Sequence, residues 1–113
     1  MTNSLRITKK NDYREVYNKG TVFKNRELVL WKLKKEKFGK TRIGYSVGKR
    51  FGTAVERNRV KRFLKEVYRL NRGNIKEGYD LVIVARGALK RKSFLEVENS
   101  FLNVLCKAGQ LKK

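Results

Sequence analysis

The sequence predicts an α/β (α+β) two-layer sandwich whose elements run α-β-β-β-α-β-α, with helices covering a mixed four-stranded sheet. Three observations predict it. Residues 21–24, 28–33, 41–47 and 79–85 carry the apolar patterns of strands. Three other segments repeat apolar residues three and four positions apart, the spacing that stacks side chains on one helix face. The chain has 113 residues, enough for one hydrophobic core and not two, so residues 1–113 are expected to form one domain.

Residues 5–8 lead in as extended chain. Thr8 or Asn11 is placed to cap a short helix over about residues 9–18, which Gly20 ends. Its apolar stripe is Tyr13, Val16 and Tyr17. Val16 reads as core. The two tyrosines stand one turn apart among lysines and read in two ways. They are core contacts, or they are faces on which unpaired bases stack while the cations hold phosphates.

Residues 21–24 make a short strand. Residues 28–33 (LVLWKL) make a stronger one, apolar on both faces up to Lys32 and so central in the sheet. Trp31, the sole tryptophan, is either core or a platform at the floor of a groove. Residues 34–40 form a turn of mostly basic chemistry. In residues 41–47, Ile43, Tyr45 and Val47 alternate with Arg42, Gly44 and Ser46. One face is therefore buried and the other is small and polar, open to close approach by a ligand or another backbone.

Thr53 and Glu56 have the spacing of a capping box, so a long helix begins there. Val60, Phe63, Leu64, Val67 and Tyr68 share its apolar face. At about 100° per residue, Asn58, Lys61, Arg62, Lys65 and Arg69 fall on the other face, with Arg57 and Arg59 on its borders. Gly73 is placed to close the helix as a left-handed cap. The basic face carries one acid, Glu66, so the Glu/Lys pairing of an ordinary solvated helix is missing. Arginine outnumbers lysine in it, and the arginine fork matches phosphate. Lys49 and Arg50, in the loop Gly48-Lys49-Arg50-Phe51-Gly52, add cations beside the helix N-terminus, where backbone N–H groups favour anions. The pattern points to a polyanion rather than to bulk solvent.

Residues 79–85 (YDLVIVA) read as another buried strand, and residues 86–92 as a second basic loop. Ser93 and Glu96 form a further capping box. Phe94, Val97, Phe101, Val104 and Leu105 then give a last helix packed on the sheet. Lys107, Lys112 and Lys113 finish the chain as a frayed basic tail.

Thirty Lys and Arg against ten Asp and Glu leave a formal charge of +20. Such self-repulsion costs stability, and a partner that neutralises it is the simplest reason to carry it. Nucleic acid is the first candidate and an anionic membrane surface the second. Hydrophobic residues make up 40% of the chain and are patterned along it, which describes a folded basic domain and not a disordered tail. No apolar run approaches the ~20 residues that span a bilayer, and the N-terminus has no apolar signal segment. Cys106, the single cysteine, cannot form an internal disulfide. It reads as a small core residue in a reducing, cytoplasmic compartment. With no histidine, one cysteine and scattered acids, imidazole catalysis, thiolate zinc sites and a protein-held catalytic magnesium are not expected.

The run Gly44-Tyr45-Ser46-Val47-Gly48-Lys49-Arg50-Phe51-Gly52, followed by Ala54-Val55-Glu56-Arg57-Asn58-Arg59-Val60-Lys61-Arg62, resembles the signature of the protein subunit of bacterial ribonuclease P. The Arg-Asn-Arg core is intact. Size, charge, element order and the segment Lys10-Asn11-Asp12-Tyr13 match as well. The resemblance implies a small basic cofactor of a catalytic RNA, in a ribonucleoprotein that hydrolyses the 5′ leader from precursor tRNA. It implies that the RNA subunit does the chemistry with Mg2+ held mainly by RNA, so that no protein side chain is catalytic. It implies a left-handed βαβ crossover around the Arg-Asn-Arg helix, against the usual right-handed rule. The fold is similar to one domain of a small-subunit ribosomal protein and of a translation elongation factor.

Position by position, the resemblance implies that Arg57, Asn58 and Arg59 meet the catalytic RNA. Lys61, Arg62 and Lys65 extend that face, and Lys49, Arg50 and Arg69 belong to the same set. The leader cleft of the family maps to Tyr13, Tyr17, Trp31 and Ser46. The family often has Phe at the first two positions, so the added hydroxyls are expected to shift leader preference. The implied partners are ribonuclease P RNA and precursor tRNA, with no membrane, DNA or obligatory protein partner. Three rivals stand beside this reading. One is a ribosomal or ribosome-assembly protein that binds ribosomal RNA. Another is a DNA-binding regulator with the basic helix in a major groove. The third is a nuclease acting without RNA.

Overall fold

The computed structural model describes residues 6–35 and 39–112. Three helices, α1 (Lys10–Lys19), α2 (Ala54–Asn71) and α3 (Phe94–Lys107), accompany four strands, β1 (Thr21–Lys24), β2 (Leu28–Lys34), β3 (Arg42–Ser46) and β4 (Tyr79–Ala85). The sheet order is β1-β2-β4-β3. β2 runs antiparallel to both β1 and β4, and β3 runs parallel to β4. The α2 helix is thus the crossover between parallel neighbours. This is the expected α+β arrangement on a mixed sheet.

β2 and β4 occupy the centre because their sequences are apolar on both faces. On one face Leu28, Leu30, Ile43, Leu81 and Ile83 meet Val60, Leu64 and Val67 of α2 and Val97, Phe101 and Val104 of α3. On the other face α1 lies across the sheet, with Val16 buried against Val82 and Ile7. The register aligns two rows on this second face: Val22, Trp31, Val82 and Gly44, then Lys24, Val29, Val84 and Ser46. β3 is an edge strand. Its outer side takes a parallel bridge from Arg6 to Ile43, with Ile7 N–H donating to the Ile43 carbonyl at 2.9 Å.

Both capping boxes form. Thr53 N–H donates to Glu56 Oε1 at 2.8 Å while Thr53 Oγ1 accepts from Glu56 N–H, and Ser93 and Glu96 do the same for α3. One strong interaction lies on the α1 face of the sheet. Arg42 and Asp80 are register partners, and the guanidinium forks onto the carboxylate at 2.9 and 2.7 Å. Asp80 is fully buried, and Asp12 of α1 approaches Arg42 at 3.5 Å.

Several local expectations are corrected. Neither Thr8 nor Asn11 caps α1. Its N-cap is Lys9 without a side-chain bond, and the helix is fixed by packing and by Asp12 instead. Gly73 is not a left-handed cap. α2 passes through an α-region Arg72 into a 3-10 turn at Arg72–Asn74, because the chain is drawn on to bury Ile75 beside Leu111. Cys106 is exposed, not core, since it stands one position past the buried Leu105 and turns about 100° away. The tail is tied down through residue 112, where Lys112 N–H donates to the Asn74 carbonyl at 2.8 Å. Leu5 of the lead-in, Glu36, Lys37 and Phe38 of the basic turn, and Lys113 lie outside the described residues.

Candidate nucleic-acid interface

The ridge comes from the amphipathicity of α2. Val60, Leu64, Val67 and Tyr68 sink into the core and leave the basic residues outward. Asn58, Arg62 and Arg69 are exposed, and Lys61 and Lys65 are half-buried. The cations then divide into two groups. Among the described residues, Lys61, Arg62 and Lys65 have no hydrogen bond or ion pair to protein, and neither do the exposed side chains of Lys49 and Arg50. The others are engaged. Arg57 Nη1 donates to the Gly52 carbonyl at 2.8 Å. The Arg59 guanidinium lies 4.6 Å from the Phe63 ring centre, and that ring meets Phe94 of α3 edge-on. Arg69 forks onto Glu66 and holds that carboxyl below its usual range.

Lys65 is held below the usual lysine range, first by burial and then by the nearby charges of Arg6 and Lys61. An anion would relieve exactly that repulsion, and no acid of the protein does so among the described residues. The N-terminus of α2 is different. The seat expected there for an external anion is filled by Glu56, whose carboxyl is kept ionised chiefly by the Thr53 N–H and faces Lys90 at 3.9 Å.

The cleft lies on the α1 face. Its open volume is ≈ 580 Å³, lined by Tyr13, Tyr17, Asn18, Tyr45 and Ser46 with two cations, Lys10 and Arg14. The small-polar face of β3 explains how Tyr13 gets there. A Cβ on Gly44 would stand 2.6 Å from the Tyr13 hydroxyl oxygen, so the close approach that glycine permits is used by the protein's own ring. The Tyr13 hydroxyl donates to the Tyr45 carbonyl at 3.4 Å. Tyr17 sits 6.5 Å from Tyr13 and is 36% exposed, so part of it is open to the cleft. Trp31 meets Tyr17 edge-on at 5.4 Å and joins the apolar cluster under α1. It props Tyr17 from behind and does not line the cleft.

Of the residues singled out from sequence, Tyr13, Tyr17 and Ser46 converge on one cleft, and Lys61, Arg62 and Lys65 on one ridge. Sequence reasoning missed Arg6, which reaches the ridge from the edge of β3, and Lys90 and Arg91, which join Arg59 around a pocket beside Phe51. No local pattern marks Arg6. The loop at residues 86–92 is visibly basic, but its position beside α2 is a property of the fold.

Among the described residues no three His, Cys, Asp or Glu side chains converge on a point. Asp12, Glu15 and Asp80, near α1, are paired with Arg42, Lys35 and Lys19. These residues do not fit a magnesium ion held by protein. No helix among the described residues is long and apolar enough to cross a membrane.

Fold and surface define a class: a small basic α+β protein with an open aromatic cleft and a ridge of cations that have no partner among the described residues. A family model described as Ribonuclease P matches residues 1–109, and the chain belongs to that family. It is 46% identical over 110 residues to the Ribonuclease P protein component of Clostridium novyi, covering 96% of this chain and 97% of that one. It is 47% identical over 105 residues to that of Clostridium acetobutylicum, covering 92% and 88%. Among solved structures, a Staphylococcus aureus RNase P protein mutant with defective mRNA degradation activity superposes with a TM-score of 0.93. It is 33% identical, with 97% of this chain and 92% of that one covered. The RNase P protein from Thermotoga maritima gives 0.83 at 30% identity, with 90% and 96% covered. These names favour the ribonuclease P reading over the ribosomal one.

Proposed function

We propose that the chain serves as the protein component of a ribonuclease P ribonucleoprotein, a subunit of an endoribonuclease that matures tRNA 5′ ends. One observation carries the division of labour. The cations without a partner among the described residues and the aromatic cleft flank the same edge strand, β3. Tyr45 lines the cleft with Tyr13 on one side and shares a pocket with Lys65 on the other. The ridge of Lys61, Arg62 and Lys65, extended by Lys49 and Arg50, takes phosphates of the catalytic RNA. Arg57 and Arg59 brace the ridge against the preceding loop and α3. The cleft takes the single-stranded leader, with bases on Tyr13 and Tyr17 and phosphates on Lys10 and Arg14.

Chemistry in this reading belongs to the RNA and to magnesium held by RNA. The protein binds and orients. Its contribution is differential: substrate carries a leader and product does not, so the cleft favours substrate alone. The chain acts as one RNA-binding domain in the cytoplasm.

The test is reconstitution. The protein is added to a bacterial ribonuclease P RNA at low magnesium, and trimming of a precursor tRNA is measured. Stimulated cleavage supports the proposal. Co-purification with ribosomal RNA and no stimulation would return the ribosomal alternative. Tyr17→Ala should weaken leader-bearing tRNA about 5- to 150-fold, from a stacking contribution of about 1–3 kcal/mol, and spare mature tRNA. Equal losses for both would reduce Tyr17 to a structural role.

A further inference from the structure

A second concavity lies on the opposite side of β3 from the cleft. It has a volume of ≈ 210 Å³ and a mostly apolar wall made by Ile43, Tyr45 and Tyr68, with Arg6, Lys65 and Arg72 among its other lining groups. That volume is below the about 300–1,000 Å³ of pockets for drug-sized ligands, and leaves room for a single ring system. Neither the Tyr68 hydroxyl nor the Tyr45 hydroxyl has a hydrogen-bond partner among the described residues, and neither is sealed from solvent, so both are open to a ligand in the pocket. Both are neutral at physiological pH, as an ordinary phenol is, and burial above all raises them further, Tyr68 to about 12. The Tyr45 hydroxyl lies in the field of Tyr68 and Arg6, and the Tyr68 hydroxyl in that of Arg72 and Glu77. The cationic side is unbalanced. Lys65 is depressed first by burial and then by Arg6 and Lys61, and has no acidic partner among the described residues.

An apolar slot walled by two aromatic rings, with two donor–acceptor hydroxyls that have no partner among the described residues and four cations, of which Arg69 is forked onto Glu66, has the recognition chemistry of a nucleotide. The rings and Ile43 take a flat base, the hydroxyls meet its edge, and Lys65, Arg6 and Arg72 take the attached phosphate. We propose that this pocket receives one unstacked nucleotide of the RNA that lies on the α2 ridge, and so locks the register of that RNA. The proposal rests on the ridge reading for the source of the nucleotide. The shared residue Lys65 argues for that source, since the strand on the ridge passes the mouth of the pocket. The cleft of Tyr13 and Tyr17 opens on the other face of the sheet.

The experiment follows the tyrosine ring resonances of the full chain during titration with adenosine or uridine 5′-monophosphate. Ribose 5-phosphate and inorganic phosphate serve as controls at matched ionic strength. Saturable shifts of Tyr45 and Tyr68 with a nucleotide, absent with both controls, are expected. Tyr68→Phe keeps the ring and its packing, so melting temperature at neutral pH should hold while nucleotide affinity falls about two- to tenfold, as for one lost hydrogen bond. Equal shifts with phosphate alone would make the pocket an anion seat only, and no shift with either nucleotide would leave it unoccupied. Either result overturns the proposal. Displacement of the nucleotide by ribonuclease P RNA supports the assigned source, whereas displacement only by a single-stranded leader oligonucleotide overturns it. The ridge reading fails separately, if Arg62→Ala binds ribonuclease P RNA normally.

Discussion

Arg62→Ala and Arg69→Ala remove the same charge from the same face of α2, yet the structure predicts unequal losses. Arg62 is exposed and has no protein partner among the described residues, so its whole charge is available to phosphate. Arg69 is forked onto Glu66, and a phosphate there meets a carboxylate as well. Each phosphate contact contributes about −0.7 on single strands to −0.9 on duplex to the slope of log affinity against log salt. Arg62→Ala should therefore flatten the slope by about that amount. Over a fourfold rise in salt the loss of one contact removes about a 2.6- to 3.5-fold part of the salt response. Arg69→Ala should change the slope by much less. Glu66→Gln releases Arg69 and removes the one acid of the ridge, so it should steepen the slope by about one contact. Anisotropy of labelled ribonuclease P RNA over a salt series reads all three. If binding answered only to net charge, Arg62→Ala and Arg69→Ala would have equal slopes, and that result would refute the division into free and engaged cations.

Three further outcomes are expected. Gly44→Ala puts a Cβ 2.6–2.8 Å from atoms of the Tyr13 ring, so the ring must leave β3; stability should fall by about 1–3 kcal/mol and leader affinity with it, and an unchanged affinity for leader-bearing tRNA would contradict the assigned role of Tyr13. The Tyr68 phenol is pushed from 10.0 up to about 12, chiefly by burial, so the folded state holds this proton more tightly than the unfolded chain. Its stability contribution is complete below pH about 10 and is lost as pH rises toward about 12, and the melting temperature relative to Tyr68→Phe, which cancels the lysines, should fall over that window; a constant difference would argue against the burial. Asp80→Ala leaves the largely buried Arg42 guanidinium without its forked partner and should cost about 3–5 kcal/mol in urea melts; a loss under about 1 kcal/mol, the scale of a surface pair, would show the pair to be dispensable.

The elements were legible because their signals are local. The Thr53/Glu56 and Ser93/Glu96 boxes start α2 and α3 where the spacing puts them. The apolar runs of β2 and β4 announce central strands. What was illegible depends on distant neighbours. Helical spacing places Arg57, Arg62 and Arg69 on or beside one face, but cannot say that Arg57 reaches back to Gly52 while Arg62 has no partner among the described residues. Gly44 reads as room for a ligand, and only the tertiary structure shows Tyr13 filling it. Asp80 sits in a run that reads as plain apolar strand, and its partner Arg42 is far away in sequence. Gly73 fits a left-handed cap on local grounds, and the burial of Ile75 overrides it.

β3 is short and lies at the sheet edge, the part of a sheet with the fewest bonds to hold it in place. It nevertheless carries both candidate surfaces, with Tyr45 and Ile43 toward α2 and Gly44 and Ser46 toward α1. Two features stiffen it. Its residues from Arg42 to Ser46 pair with β4 in unbroken parallel register, and the Arg42–Asp80 fork fastens that register inside the protein. The Arg6 bridge closes its outer side at Ile43. On the proposed function, holding two RNA segments at a set separation needs such stiffness more than catalytic groups, because a misplacement of about 1 Å in positioning elements can cost about a hundredfold in rate. The buried ion pair is costly to desolvate and adds little to net stability over an apolar pair. Its place under α1 at the start of β3 gives it a different use: it holds in one register the edge strand that both surfaces share.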